Sequence, residues 1–218
     1  TAGILTPTIT ETVANAGTTI NSVNLRTITS AGVNVGVFDA TATNSYVTLL
    51  VAGTGAITAQ IPNSAASGGN VRGTNAVDFQ MTRSSATQVA GGANSGILCG
   101  NSNRVAAAGN AVIGGGNTNF ISGGATNSGI LCGLSNTINS SVLQGVICGG
   151  ARNTAGANFT GVLAGDSNSA SGARSAVGGG DSNTSSGSNS FVGGGDTNTA
   201  SATNSAIGAG NTCSIGSA

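Results

Sequence analysis

The chain has 218 residues, of which six are Lys or Arg, six are Asp or Glu and none is His, so its net charge is zero. A neutral chain with six scattered arginines has no electrostatic footprint for nucleic acid or an anionic membrane surface. Gly supplies 38 residues and Pro only 2, which excludes collagen, because that fold needs Gly at every third position and abundant Pro.

Residues 1–68 read as a small all-β module. "TTINSVNLRTITS" and "NSYVTLLVAGTGAITAQIP" alternate and are rich in Thr, Val and Ile, while "NAG", "SAGVN" and "AGTGA" read as turns. Residues 69–93 read as a turn that caps the repeats beginning at residue 94, with Met81 in the inner-rib place, Thr87 in the anchor place and Val89 in the second-strand place.

From residue 94 to 218 the chain repeats itself eight times. The anchors are Asn103, Asn119, Asn136, Asn153, Asn168, Asn183 and Asn198, with Cys213 in the last copy; the steps are 16, 17, 17 and then 15 residues. Six residues before each anchor stand Ile97, Ile113, Ile130, Ile147, Val162, Val177, Val192 and Ile207, all β-branched. Three before it stand Gly100, Gly116, Gly133, Gly150, Gly165, Gly180, Gly195 and Gly210. Two after it stand Val105, Ile121, Ile138, Ala155, Ala170, Ser185, Ala200 and Ile215.

A copy of 15 residues is too short for a strand and a helix, and good helix formers are scarce in it. Two short strands joined by tight turns fit. The Gly column suits a backbone with positive φ or a close chain approach. The Asn columns suit turns, and stacked Asn amides form ladders. The fold class is therefore all-β, a parallel β-solenoid of about eight turns, with turns about 4.8 Å apart and a length of roughly 38 Å. The surplus residues of the longer copies are expected to bulge outward at one corner. A single Ile/Val rib makes a thin core, so a second surface must be covered by other chains. The column seven before the anchor would supply it: Gly96, Val112, Gly129, Val146, Gly161, Ala176, Phe191 and Ala206. Phe191, its one aromatic, is expected where two chains meet.

"NAVIGGGNTNFISGGATN", "SAVGGGDSNTSSGSN" and "SFVGGGDTNTASATN" resemble the head repeats of trimeric autotransporter adhesins, the YadA-like head. The resemblance covers residues 94–218 and implies a left-handed parallel β-roll, three of which pack as a homotrimer. Similar repeats also occur in phage tail fibres and large-virus fibre proteins, and "GNVRGTNAVDFQMTRSSATQVAGG" looks like the lead-in segment of such fibres. Two departures from the bacterial heads are the four cysteines and the lack of coiled-coil heptads, and both favour a virion fibre. The expectation is a non-enzymatic fibre displayed on a virion, outside the cell. The head of a bacterial adhesin on the outer-membrane surface is the second reading, and an ice- or cation-binding solenoid the third. The expected partners are further copies of the chain and a host-surface receptor or glycan. No nucleic acid, membrane insertion or cofactor is expected.

Several stretches invite chemistry when read alone. "VGGGDT" looks like a phosphate loop, but a P-loop needs Lys after its glycines and the chain has none. Asp166, Asp181 and Asp196, two before their anchors, are the one weak cation candidate. Their 15-residue spacing brings a single carboxylate per turn, against the nine-residue spacing of calcium-binding repeats. Cys99, Cys132, Cys148 and Cys213 form no C-x-x-C pair, and without His or Lys no neighbouring base could make a catalytic thiolate. Cys99 and Cys132 share a column two turns apart, too far for a disulfide within the chain, and read as small buried apolar residues or as thiols near a trimer axis. Ser135/Thr137, Ser167/Ser169, Ser182/Thr184 and Thr197/Thr199 would form a hydroxyl ladder of the ice-binding kind, interrupted by Arg104, Phe120 and Arg152. The sequons at Asn139, Asn158 and Asn183 arise by chance in a chain this rich in Asn, Ser and Thr.

Overall fold

The computed structural model describes residues 56–60 and 62–216; most of the 1–68 module lies outside the described residues. Each repeat contributes two strands of two residues. In chain order they are β1 (Ile57–Thr58), β2 (Val77–Asp78), β3 (Gly96–Ile97), β4 (Arg104–Val105), β5 (Val112–Ile113), β6 (Phe120–Ile121), β7 (Gly129–Ile130), β8 (Thr137–Ile138) and β9 (Val146–Ile147). There follow β10 (Thr154–Ala155), β11 (Gly161–Val162), β12 (Ser169–Ala170), β13 (Ala176–Val177), β14 (Thr184–Ser185), β15 (Phe191–Val192), β16 (Thr199–Ala200), β17 (Ala206–Ile207) and β18 (Ser214–Ile215).

All pairings are parallel and run between successive turns. One sheet has ten strands in the order β1-β2-β3-β5-β7-β9-β11-β13-β15-β17, and the other has eight, from β4 through the even strands to β18. A third ladder of single parallel bridges runs from Thr82 through Asn101, Asn117, Leu134, Ala151, Asp166, Asp181 and Asp196 to Asn211. The result is a β-solenoid of about nine turns, with no helix among the described residues.

The β-branched column is the inner rib. Ile97, Ile113, Ile130, Ile147, Val162, Val177 and Val192 are 0–1% exposed, and Ile207 in the last turn is 6% exposed. The column two after the anchor forms a second inner rib: Val105, Ile121, Ile138, Ala155, Ala170, Ser185 and Ala200 are fully buried. Two facing ribs make the core thicker than one rib implies. Ser185 is tolerated because its hydroxyl meets that of Ser190 at 2.6 Å, and Ser190 in turn donates to the Gly187 carbonyl. A third inward column stands eight before the anchor: Ser95, Ala111, Ser128, Gly145, Thr160, Ser175, Ser190 and Ser205, all buried. Most of these hydroxyls donate to a carbonyl two or three residues back, as Ser95 does to Gly92 and Thr160 to Ala157.

The surplus residues of the longer turns all fall between the second strand of one turn and the first strand of the next. They do not simply bulge outward. Ala108, Ala125 and Val142 turn inward and are 0–1% exposed, so insertion widens the core at that corner.

The Gly column needs both properties expected of it. Gly100, Gly116, Gly133, Gly150, Gly165, Gly180 and Gly195 have φ between +84° and +116°. At Gly165 a Cβ would also overlap the Gly180 carbonyl oxygen of the next turn and lie 2.5 Å from Asn168 Nδ2.

The anchor Asn ladder is continuous. Asn103, Asn119, Asn136, Asn153, Asn168, Asn183 and Asn198 are 0–1% exposed. The Oδ1 of each accepts the backbone N–H of the next anchor at 2.9–3.0 Å, ending at the N–H of Cys213. Each Nδ2 donates to the Gly-column carbonyl of the next turn, as Asn183 does to Gly195 at 2.9 Å. Asn183→Ala therefore strands the Asn198 N–H and opens a small cavity. We expect it to cost about 2–3 kcal/mol, read as a lower urea midpoint with unchanged far-ultraviolet circular dichroism at 25 °C.

The capping turn has a different register from the one its sequence suggests. Met81 is 62% exposed, and the residue in register with Ile97 is Asp78. Thr87 is exposed as well, and the anchor function passes to Gln80, whose Oε1 accepts the Asn103 N–H at 2.6 Å. The inward residue beside Val105 is Ala90, with Val89 buried next to it.

Candidate functional site

Three features stand out on this scaffold: an apolar outer wall, a corner of carboxylates and hydroxyls, and a buried charge cluster in the cap. The wall is the outer face of the ten-stranded sheet. Side chains alternate across a strand, so the residues flanking the inner rib, seven and five before each anchor, both point outward. Leu98, Val112, Leu131, Val146, Leu163 and Phe191 on this wall are 42–61% exposed. From Gly96 to Gly208 neither column holds a charged residue, Ser, Thr or Asn. Large apolar side chains repeated along one charge-free wall exceed what scattered surface hydrophobes need explain. The seven-before column was legible as an outer surface. The five-before column, Leu98, Gly114, Leu131, Cys148, Leu163, Gly178, Gly193 and Gly208, was not, because half of it is glycine.

The carboxylates Asp166, Asp181 and Asp196 do stack, bridged turn to turn. Each is engaged locally. The hydroxyls of Ser167, Ser182 and Thr197 donate to the carboxylate just before them, Arg152 forms an exposed ion pair with Asp166, and Asn211 Nδ2 donates to Asp196 at 3.1 Å. No group of three His, Cys, Asp or Glu side chains that could hold a metal ion occurs among the described residues. Ser135, Ser167, Ser182 and Thr197 all have φ near +55°. They therefore sit on a left-handed corner, whereas Thr137, Ser169, Thr184 and Thr199 sit on strands β8, β12, β14 and β16, so the two hydroxyl columns do not share one flat face. Arg104 lies over the Phe120 ring at 5.0 Å, at the cap end of the strand column, on the edge strand β4 and its neighbour β6.

All four cysteines are unbridged. Cys99, Cys132 and Cys213 are exposed and Cys148 is half-buried, so the column shared by Cys99 and Cys132 is not a core column. Cys99 Sγ lies 3.2 Å from the Gly114 carbonyl oxygen, within hydrogen-bonding reach.

The cap closes the core with charge instead of hydrocarbon. Asp78 Oδ2 accepts from Arg72 Nε at 2.8 Å and from Arg83 Nη2 at 3.1 Å, and all three side chains are sealed from solvent. Asp78 Oδ1 accepts the Gln80 N–H. Arg72 also donates to the Gly68 and Asn70 carbonyls, and Arg83 to the Gln80 and Gln88 carbonyls and the Gln60 side chain. Charged and polar groups at this end meet carbonyls that an apolar plug would leave bare. Within this cluster Arg72 Nη2 is buried without a partner. Nothing in the sequence beyond two arginines and an aspartate within 12 residues could have signalled this cluster.

Set beside known proteins, the chain matches no family model, no curated protein and no solved structure.

Proposed function

We propose that this chain is a non-enzymatic structural protein, a segment of a surface fibre that works as a homotrimer of left-handed β-rolls. The observation that carries the reading is the exposed apolar wall, whose large side chains repeat from turn to turn, whereas along the repeats' other faces exposed large apolar residues such as Leu134, Leu143 and Phe159 are scattered among polar turns and strands. A solenoid this long with such a wall is poorly suited to solitude in water, because burying the wall against like walls removes apolar surface along the whole rod. The continuous strand and Asn ladders make each rod stiff, which suits a part that holds something at a distance from a surface. The resemblance of residues 94–218 to adhesin-head and fibre repeats supports the same assignment.

A virion fibre is the preferred setting. Four unbridged thiols, three of them exposed, fit assembly in a reducing compartment before release. The fibre's partners are its own copies and, at an outer face or through the N-terminal module, a host-surface receptor or glycan. Light scattering coupled to gel filtration tests the assembly. We expect a mass three times the 20.5 kDa of one chain, and a stable monomer at micromolar concentration would refute it.

A further inference from the structure

We infer that copies of this chain meet through the apolar wall in parallel and in register, turn against the same turn, and that side-chain size along the wall encodes that register. The inference rests on the assembly proposed above and concerns how the copies fit.

The observation is a compensation between two columns. Turn by turn, the residues seven and five before the anchor are Gly96 with Leu98, Val112 with Gly114, Gly129 with Leu131, Val146 with Cys148, and Gly161 with Leu163. The last three turns pair Ala176 with Gly178, Phe191 with Gly193 and Ala206 with Gly208. Wherever one column is large the other is small, and the large side alternates between columns over the first five turns. The coil itself requires part of this, since a Cβ added at Gly114, Gly178 or Gly193 would overlap a carbonyl oxygen of the next turn, but it does not require the glycines paired with leucines. A Cβ added at Gly161 meets no atom within 4 Å, and at Gly129 its nearest neighbour is the Val112 carbonyl oxygen at 3.8 Å. Gly96, Gly129 and Gly161, each paired with a leucine, therefore leave room for something outside the chain.

The occupant must keep step with turns spaced about 4.8 Å apart along roughly 38 Å. An α-helix rises about 5.4 Å per turn, so it would be half a turn out of phase after about four turns. A second copy of the same coil is in step by construction. A rotation axis parallel to the rods sets the seven-before column of one copy against the five-before column of the next at the same level. Every such contact then pairs large with small, or small with small at the last and third-last turns. A slip of one turn sets Val112 against Leu131 and Val146 against Leu163, and leaves Gly96 facing Gly114 and Gly161 facing Gly178. That alternates overpacking with voids, both unfavourable. An antiparallel pair sets Val112 against Phe191. The cap turn departs from the rule, since Val77 and Phe79 are both large, so the compensation begins at the first repeat.

The test is a size swap at one level. G161V should leave the single coil folded, with wild-type circular dichroism, and weaken assembly at least about tenfold in the dissociation constant measured by light scattering on dilution. The double variant G161V/L163G restores one large and one small residue to that level and should recover most of the loss. Assembly of G161V equal to wild type, or a double variant no better than the single, would overturn the size code. Register is read directly by V146C in a C99S/C132S/C213S background. Mild oxidation should join that thiol to Cys148 of the next copy and give covalent oligomers on a non-reducing gel. Absence of the cross-link in a protein that light scattering shows to be oligomeric would overturn the in-register arrangement. A monomeric wild type would instead overturn the assembly itself.

Discussion

Gly165→Ala is expected to destabilise the coil by at least about 4 kcal/mol. The residue has a φ of +93°, where an L side chain is strained by roughly 1–2 kcal/mol. The added methyl also overlaps the Gly180 carbonyl oxygen of the next turn and crowds Asn168 Nδ2 and the Gly180 amide nitrogen, the last at 2.8 Å. Relief requires two turns to part. Parting them breaks the bonds from Asp166 N to the Gly180 carbonyl and from Asn168 Nδ2 to the same oxygen. The damage is therefore a fracture across the stack and not a local dent. Hydrogen exchange should show lost protection on both sides of the fracture, with β3 to β6 still protected. Gly161→Ala, four residues away and with no atom near its added Cβ, is the control and should shift stability by no more than about 0.5 kcal/mol in the dissociated coil. Equal effects of the two would overturn the close-approach account.

Asp78→Asn is expected to cost about 3–5 kcal/mol, since it keeps the shape of the side chain and leaves two sealed guanidinium groups without a counter-charge. The loss should be confined to one end. Solenoid turns contact only their neighbours, so stability adds along the stack. Protection of β1, β2 and β3 should collapse well before that of β13 to β17. A uniform, cooperative loss along the whole rod would show that the cap does more than close an end.

The coil was legible in the sequence because its constraints repeat. One Gly at a strained corner could mean anything; eight at one column position can mean only a backbone requirement. The same held for the buried Asn anchors and the β-branched rib. What escaped reading was whatever lacked either repetition or a familiar chemistry. The inward column of Ser95, Ser128, Thr160 and Ser190 is small and polar, and so looks like turn, although each hydroxyl is satisfied by a nearby carbonyl. Val142 and its counterparts sit in insertions, where length varies and columns blur. The cap failed most clearly. A buried Asp neutralised by two arginines occupies the place of an isoleucine, and no hydrophobic pattern finds it; the exposed Met81 took its place instead. The outer wall was half legible, because its large residues change columns from one turn to the next.

The anchor ladder has a direction in time as well as in space. A finished turn offers the next one both an amide oxygen for its backbone N–H and an amide N–H for its Gly carbonyl. Each new turn thus lands on a template already fixed by its predecessor, and only about 15–17 residues need be ordered per step. Such a chain can condense as it leaves the ribosome, starting from the charged cap and growing like a crystal in one dimension. The time needed to complete the rod should then grow only in proportion to the number of turns.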